Sequence, residues 1–391
     1  CRRAGGYIFL FDTRSCLMKY VRWDIPDKGP EIPPELLRAG CTPLLAALLA
    51  GRGMSAPGEA ARFLNAGEEE LCDPMLLPDM PQAAARLRLA VGRGERVAVF
   101  GDYDVDGITS ACMMTLYLRS KGLKCEPYIP DRLEEGYGLN MAAIDTLAAH
   151  GAQLIVTVDC GITAREEARH AKELGIDMII TDHHECGSGS LPEAVAVVDP
   201  KRPDSAYPNP GLAGVGVAFK LLCAVEGAAG KVLDEYADLI AAGTVADVMP
   251  LTGENRYIVR RGLKMLENPA RAGIRALLNE CGASGRRLNA ATIGFTLAPR
   301  LNAAGRLGRT DSAVRLLLTS DEEDASNCAA ELCQLNRHRQ ELEQEIWEEA
   351  HEMLRRSPPS GPIVLASERW HQGVIGIAAS RLAEEFALPT V

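Results

Sequence analysis

Five short apolar runs set the architecture: RVAVF (96–100), KCEPYIP (124–130), QLIVTV (153–158), DMIITD (177–182) and AVAVVD (194–199). Helix-like segments lie between them near 107–121, 139–150 and 163–174. Strands alternating with helices of this length give parallel βαβ units, so the chain reads as α/β with a doubly wound, mainly parallel sheet. After residue 211 the strand signal fades and helical patterns continue to about 280.

Around that centre the chain divides into four stretches. Residues 1–90, rich in Ala, Leu and Pro, read as a helical lead-in, with CTPLLAALLAG (41–51) as a core helix. Residues 91–319 hold the sheet domain. Residues 320–357 contain no Gly or Pro before SPPSGP and read as one long, solvated connecting helix, with Ser320 and Glu323 as a capping-box start. Residues 361–391 read as strand, loop, helix and strand, the beginning of a second α/β domain cut short. The chain opens on Cys1 and stops inside an apolar stretch, so it is expected to be a fragment or a gene model with uncertain ends.

A hydrophobic content of 47% and a charged content of 24% are ordinary for a soluble enzyme. No run approaches the roughly 20 apolar residues of a membrane span, and no secretory signal is evident. Twelve cysteines without regular spacing or a C-x-x-C pair suit reduced thiols in a cytoplasmic protein, not a disulfide framework or structural zinc. A net charge of −11 argues against a protein that merely coats nucleic acid, while leaving room for a local basic groove.

The chemistry concentrates in VAVFGDYDVDGITS (97–110), where Asp102, Asp104 and Asp106 alternate directly after an apolar run. Carboxylates packed this closely repel unless a cation lies among them. An EF-hand shares the D-x-D-x-D-G spacing, but its twelfth position would be Met113 where a Glu is needed, and a strand, not a helix, leads in. Asp159 ends the third run in TVDCGIT, Asp182, His183 and His184 end the fourth in TDHHE, and Asp247 follows in ADVMP. C-terminal strand ends share one edge of a parallel sheet, so Asp104, Asp106, Asp159 and His183 can converge there. A histidine among carboxylates favours Mn²⁺ over Ca²⁺.

The set GDYDVDG, TVDCGIT, TDHHE and ADVMP resembles the DHH phosphoesterase superfamily, and over residues 60–391 its single-strand-specific exonuclease branch. PDRLEEGYGLN (130–140), GLAGVGVAFKLL (211–222), APRLNAAGRLG (298–308) and WHQGVIGIAASRL (370–382) carry that closer likeness. The resemblance implies hydrolysis of single-stranded DNA from its 5′ end to 5′-mononucleotides, with two Mn²⁺ or Mg²⁺ ions, in DNA repair and recombination. It implies metal ligation by Asp104, Asp106, Asp159, His183 and Asp247, with Asp159 bridging, and contact of His184 with the scissile phosphate. Asp102 would orient the loop from behind. Where the family often has a histidine, this chain has Phe100, which suggests a more weakly held metal. Two cations about 3.5–4 Å apart would clamp the attacking and leaving oxygens and supply the nucleophile at neutral pH. Single-strand-binding protein and a helicase are the implied protein partners, with no membrane. The late signature of the DHH-associated domain and an OB-fold are not in the sequence, so DNA degradation by this chain is expected to be poor.

Substrate contacts are expected from Arg300, Arg306 and Arg309 on a Gly/Asn loop, from Arg132 and Tyr137, and from His371. Gly211, Gly214 and Gly216 give an incomplete dinucleotide fingerprint, with Phe219 at the third glycine. A tightly packed helix start, its N–H groups near a phosphate, suits them better. Two other functions stay open: a phosphodiesterase for short oligonucleotides or cyclic dinucleotides, and an inactive replication scaffold. The intact ligand set counts against the scaffold.

Overall fold

The computed structural model describes residues 31–132, 135–136 and 138–391, so Tyr137 lies outside the described residues. The five apolar runs form β1 (Val97–Gly101), β2 (Cys125–Tyr128), β3 (Leu154–Val158), β4 (Asp177–Thr181) and β5 (Ala196–Val198). All pair in parallel, in the order β2-β1-β3-β4-β5.

Four helices precede or open this sheet: α1 (Pro34–Arg38), α2 (Pro43–Ala50), α3 (Pro57–Asn65) and α4 (Met80–Arg93). Then α5 (Val105–Ser120), α6 (Met141–Ala149) and α7 (Arg165–Glu173) alternate with the strands. A helical series follows: α8 (Gly214–Glu226), α9 (Ala229–Ala246), α10 (Gly253–Glu267) and α11 (Ala272–Glu280). Next is α12, built from Ala290–Thr292, a π-helical turn Ile293–Leu297, and Ala298–Arg306. The last three are α13 (Thr310–Leu318), α14 (Glu322–Arg356) and α15 (Gln372–Phe386).

The strands are apolar on both faces because both are covered. Val97, Val99, Leu154, Val156 and Ile179 join α4, α5, α8 and α9 in one large core. Ala98, Phe100, Ile155, Met178 and Ile180 point the other way, onto α6 and α7. Phe100 is fully buried and stacks on Tyr128 with centroids 5.4 Å apart, so this position serves packing.

Three local expectations are corrected. PLLAALLA is a helix, but Leu44 is 72% and Leu48 50% exposed, so it is not a core helix. The long helix is capped by Asp321, whose Oδ1 accepts from Asp324 N–H at 2.7 Å, in place of Ser320; Asp and Ser cap about equally well, so either residue can take the position and the backbone sets which one does. LNAAGR is helical, its Leu and Ala packed in the core, where Gly and Asn suggest a loop.

Pro33–Gln340 forms one compact unit, and Glu341–Val391 belongs to a second. In the second, Ile363 and Thr390 form a parallel bridge on either side of α15, around a small core of Ala350, Leu354, Ile363 and Leu382. The ten described cysteines are free thiols. Among the described residues no helix is long and apolar enough to cross a membrane.

Candidate metal centre

The sheet register lines up four aspartates. Gly101, Val158, Thr181 and Val198 are mutually paired last residues of β1, β3, β4 and β5. Asp102, Asp159, Asp182 and Asp199 therefore follow side by side on one edge. The ladder even continues into them, since Asp159 N–H donates to Thr181 O and Asp182 N–H to Val198 O, both at 3.0 Å. None is more than 4% exposed. Between β1 and β3 the crossovers leave in opposite directions, which makes this edge the switch point where doubly wound sheets bind ligands.

Asp104 caps α5, its Oδ1 accepting from Gly107 N–H at 3.1 Å. Two residues on, Asp106 is 1% exposed, and its carboxylate accepts from the first N–H groups of α8: Gly214 at 2.6 Å and Val215 at 2.9 Å. The expectation that these N–H groups lie near a phosphate is thereby corrected, because a buried carboxylate from the acidic loop has taken them. Only glycine permits the approach. A Cβ on Gly214 would lie 2.5 Å from Asp159 Cβ, and one on Gly243 2.7 Å from Asp106 Oδ1.

His183 reaches into the middle. Its Nε2 is 3.1 Å from Asp159 Oδ1, 3.6 Å from Asp247 Oδ2 and 3.9 Å from Asp106 Oδ2. Three donor groups result, each with ligand atoms within 4.8 Å of one another: Asp102, Asp104 and Asp159; Asp106, His183 and Asp247; and Asp159, His183 and His184. Asp159 belongs to two of them. It also has a left-handed backbone (φ 61°), a strained conformation for a non-glycine residue. Asp102 thus takes a place among the possible donors.

The electrostatics fit a cation site. Burial, then the Asp104 charge, pushes Asp102 up to about 7 and Asp247 up to about 6. Burial and neighbouring carboxylates, Asp104 among them, raise Asp106 and Asp159 well above the ordinary range. Burial and the His184 charge lower His183 to about 4, leaving a neutral imidazole able to ligate. Asp102 Oδ1, Asp159 Oδ1 and Asp247 Oδ2 are buried without any hydrogen bond. Buried carboxylate oxygens with no donor are costly unless a cation meets them. The mixture of carboxylates and imidazole suits Mn²⁺, and carboxylates alone suit Mg²⁺.

Asp182 belongs to none of the three donor groups and organises the turn. Its Oδ2 accepts from Ile162 N–H at 2.8 Å, and its Oδ1 from His183 N–H at 2.7 Å and His184 N–H at 3.2 Å. Burial pushes its carboxyl up, but the hydrogen bond and charge of His184 bring it below the ordinary value. His184 is correspondingly raised, first by that hydrogen bond.

The expected substrate residues separate. Arg132 lies over the Tyr103 ring at 4.9 Å. Burial, then Arg132 and Arg339, lowers Arg306, which also senses Asp104. This basic group adjoins the acidic loop. Arg300 instead donates to Thr296 O on its own helix, and Arg309 pairs with Glu331, so the three arginines do not act as one loop cluster. His371 caps α15 through Gly373 N–H at 3.1 Å. Sequence reasoning missed Asp182 as an organiser, Arg339, and Asn302, whose Oδ1 accepts from Val105 N–H at 3.1 Å. Asn302 and Gly305, where a Cβ would meet Tyr103 O at 2.1 Å, show that RLNAAGR braces the acidic loop. TDHHE and RLNAAGR were visible signals for Asp182 and Asn302, and no motif pointed to Arg339.

A family model described as the DHH family, N-terminal domain, matches residues 96–244. The chain is 42% identical over 380 residues to the single-stranded-DNA-specific exonuclease RecJ of Bacillus subtilis, covering 96% of this chain and 48% of that protein. A crystal structure of exonuclease RecJ bound to manganese superposes with a TM-score of 0.71 at 40% identity, covering 80% of this chain and 79% of that one. RecJ of Thermus thermophilus in complex with Mn²⁺ gives 0.78 at 35% identity, covering 91% and 51%. The fold is that of a DHH-family domain, and the chain belongs to that family, in its RecJ group. It spans about half the length of the Bacillus relative.

Proposed function

We propose that this chain is a metal-dependent exonuclease that hydrolyses single-stranded DNA. The observation that carries the reading is Asp159, a buried carboxylate shared by two donor groups at the switch point. When bound, two divalent cations supply a nucleophile at neutral pH and neutralise charge on the phosphoryl oxygens. Asp102, Asp104 and Asp159 would hold one ion and Asp106, His183 and Asp247 the other, and Asp159, 3.1 Å from His183 Nε2, would be the carboxylate shared between them. The Gly214 and Val215 N–H groups fix Asp106, so the set is organised before substrate arrives. His184, oriented by Asp182, whose hydrogen bond raises its pKa, donates towards the scissile phosphate. Arg132 and Arg306 meet the strand's phosphates beside the acidic loop.

The polarity, 5′ to 3′ with release of 5′-mononucleotides, follows the family resemblance, as do the roles in repair and recombination in the cytoplasm, alongside single-strand-binding protein and a helicase. Incubating 5′- and 3′-labelled single strands with Mn²⁺, Mg²⁺ or EDTA tests the reading. Mononucleotides should appear first from the 5′ end, with either metal and not with EDTA. Cleavage of short oligonucleotides or cyclic dinucleotides alone would favour the alternative phosphodiesterase. Two bound manganese ions with no hydrolysis of either class would favour a scaffold.

A further inference from the structure

The ligand Asp247 ends α9 in a turn with an unusual occupant. Met249 N–H donates to Thr244 O and Val248 N–H to Val245 O, both at 3.2 Å, which closes a Schellman motif. The left-handed position of that motif is Val248, with φ 57°. Glycine is the usual residue there, and a β-branched side chain is among the least tolerant. Val248 is moreover 85% exposed, so packing among the described residues does little to offset the strain.

A second irregularity lies against the same turn. The π-helical turn Ile293–Leu297 interrupts α12, and a Cβ on Gly294 would lie 3.8 Å from Val245 Cγ1. The next residue, Phe295, is 83% exposed. π-Turns of this kind concentrate at functional sites. Two strained or irregular segments thus meet near the end of α9, each with a large apolar side chain exposed to solvent.

We propose that Phe295 and Val248 form a platform on which a nucleobase of the bound strand stacks, next to the scissile phosphate. This rests on the single-strand reading above. Aromatic faces accept every base, so such a platform positions DNA without reading sequence. An exposed aromatic beside a polyanion site suits a nucleotide, whose phosphate meets the ions while its base needs an apolar partner. Bases paired in a duplex are not free to stack there, so the platform favours single strands.

The test uses the 391-residue chain and single strands carrying 2-aminopurine at successive positions, with Ca²⁺ as the ion. Wild-type protein should quench the probe at one or two positions. Phe295→Ala should remove that quenching and weaken binding about 5–20-fold. Val248→Gly, which relieves the left-handed strain, should melt at an equal or higher temperature yet lose part of the quenching. Both variants should keep the wild-type manganese stoichiometry, and neither should differ from wild type on strands abasic at the quenched positions. Unchanged quenching in Phe295→Ala, an equal loss on abasic strands, or no binding at all overturns the platform. Nucleotide release in Mn²⁺ is scored separately: quenching without release defeats the hydrolase reading and leaves the platform standing, and release without Phe295-dependent quenching does the reverse.

Discussion

The His184 imidazole meets Asp182 through Nδ1, at 2.7 Å from an oxygen that also accepts two backbone N–H groups. A carboxylate only accepts, so Nδ1 carries the proton in this contact and the ring orientation is fixed. This makes His184 a positioned group and Asp182 its positioner.

Asp182→Asn should therefore lower the His184 pKa, because the hydrogen bond and charge that raise it are weakened. The amide would also place an NH₂ against Ile162 N–H or against the His183 turn. One unsatisfied buried donor costs about 1–3 kcal/mol. Histidine NMR titration of the metal-free protein, with thermal melts, checks both effects. An unmoved His184 titration would remove Asp182 from this role.

Asp159→Asn separates metal binding from folding. Asn tolerates the left-handed backbone at this position, and the buried carboxylate is lost. The metal-free variant should melt above wild type at pH 8, bind fewer than two manganese ions and hydrolyse no DNA. Wild-type manganese stoichiometry in this variant would show that Asp159 bridges nothing.

The acidic edge should make the metal-free protein sensitive to pH. The folded pKa values of Asp102, Asp106, Asp159 and Asp247 are raised from an ordinary 3.8. Raised groups contribute stability that is present below the unfolded pKa and lost as pH climbs through the folded one. His183, lowered to about 4 from 6.5, acts oppositely, but only below 6.5. Between pH 6.5 and 8, where Asp102 at about 7 still titrates, the melting temperature in EDTA should fall. Mn²⁺ should restore more stability at pH 8 than at 6.5, because protons no longer compete for the ligands. A flat or rising profile in EDTA would contradict the clustered, uncompensated carboxylates.

Much of this was legible because parallel strands end on one edge, so an Asp after each apolar run already implied convergence. Asp102, Asp159 and Asp182 follow β1, β3 and β4 in the sequence as they do in space. The partners of Asp106 were not legible. Its carboxylate is held by N–H groups 108 and 109 residues away, and no local pattern links a helix start to an acid so distant in sequence. Gly and Asn likewise suggested a loop for RLNAAGR, whereas tertiary packing of Leu301, Ala304 and Gly305 made it helical. The strain at Val248 and the π-turn at Phe295 leave no periodic trace at all.

Arg306 offers a test of the DNA-facing side. Burial and two neighbouring guanidiniums, Arg132 and Arg339, already disfavour its charge, so a concentrated positive field stands beside Asp104. Such a field is costly in the free protein and is relieved when a phosphate arrives. Arg306→Ala should leave hydrolysis of a dinucleotide near wild type, because none of the metal donors is lost. On a long single strand it should weaken binding and lower the salt slope by about one unit, the signature of one phosphate contact. The measurement is affinity across a KCl series, with the exposed Arg309→Ala, whose guanidinium pairs with Glu331, as the comparison that should change little. Equal slopes for wild type and Arg306→Ala would assign Arg306 to bracing the acidic loop instead of gripping DNA.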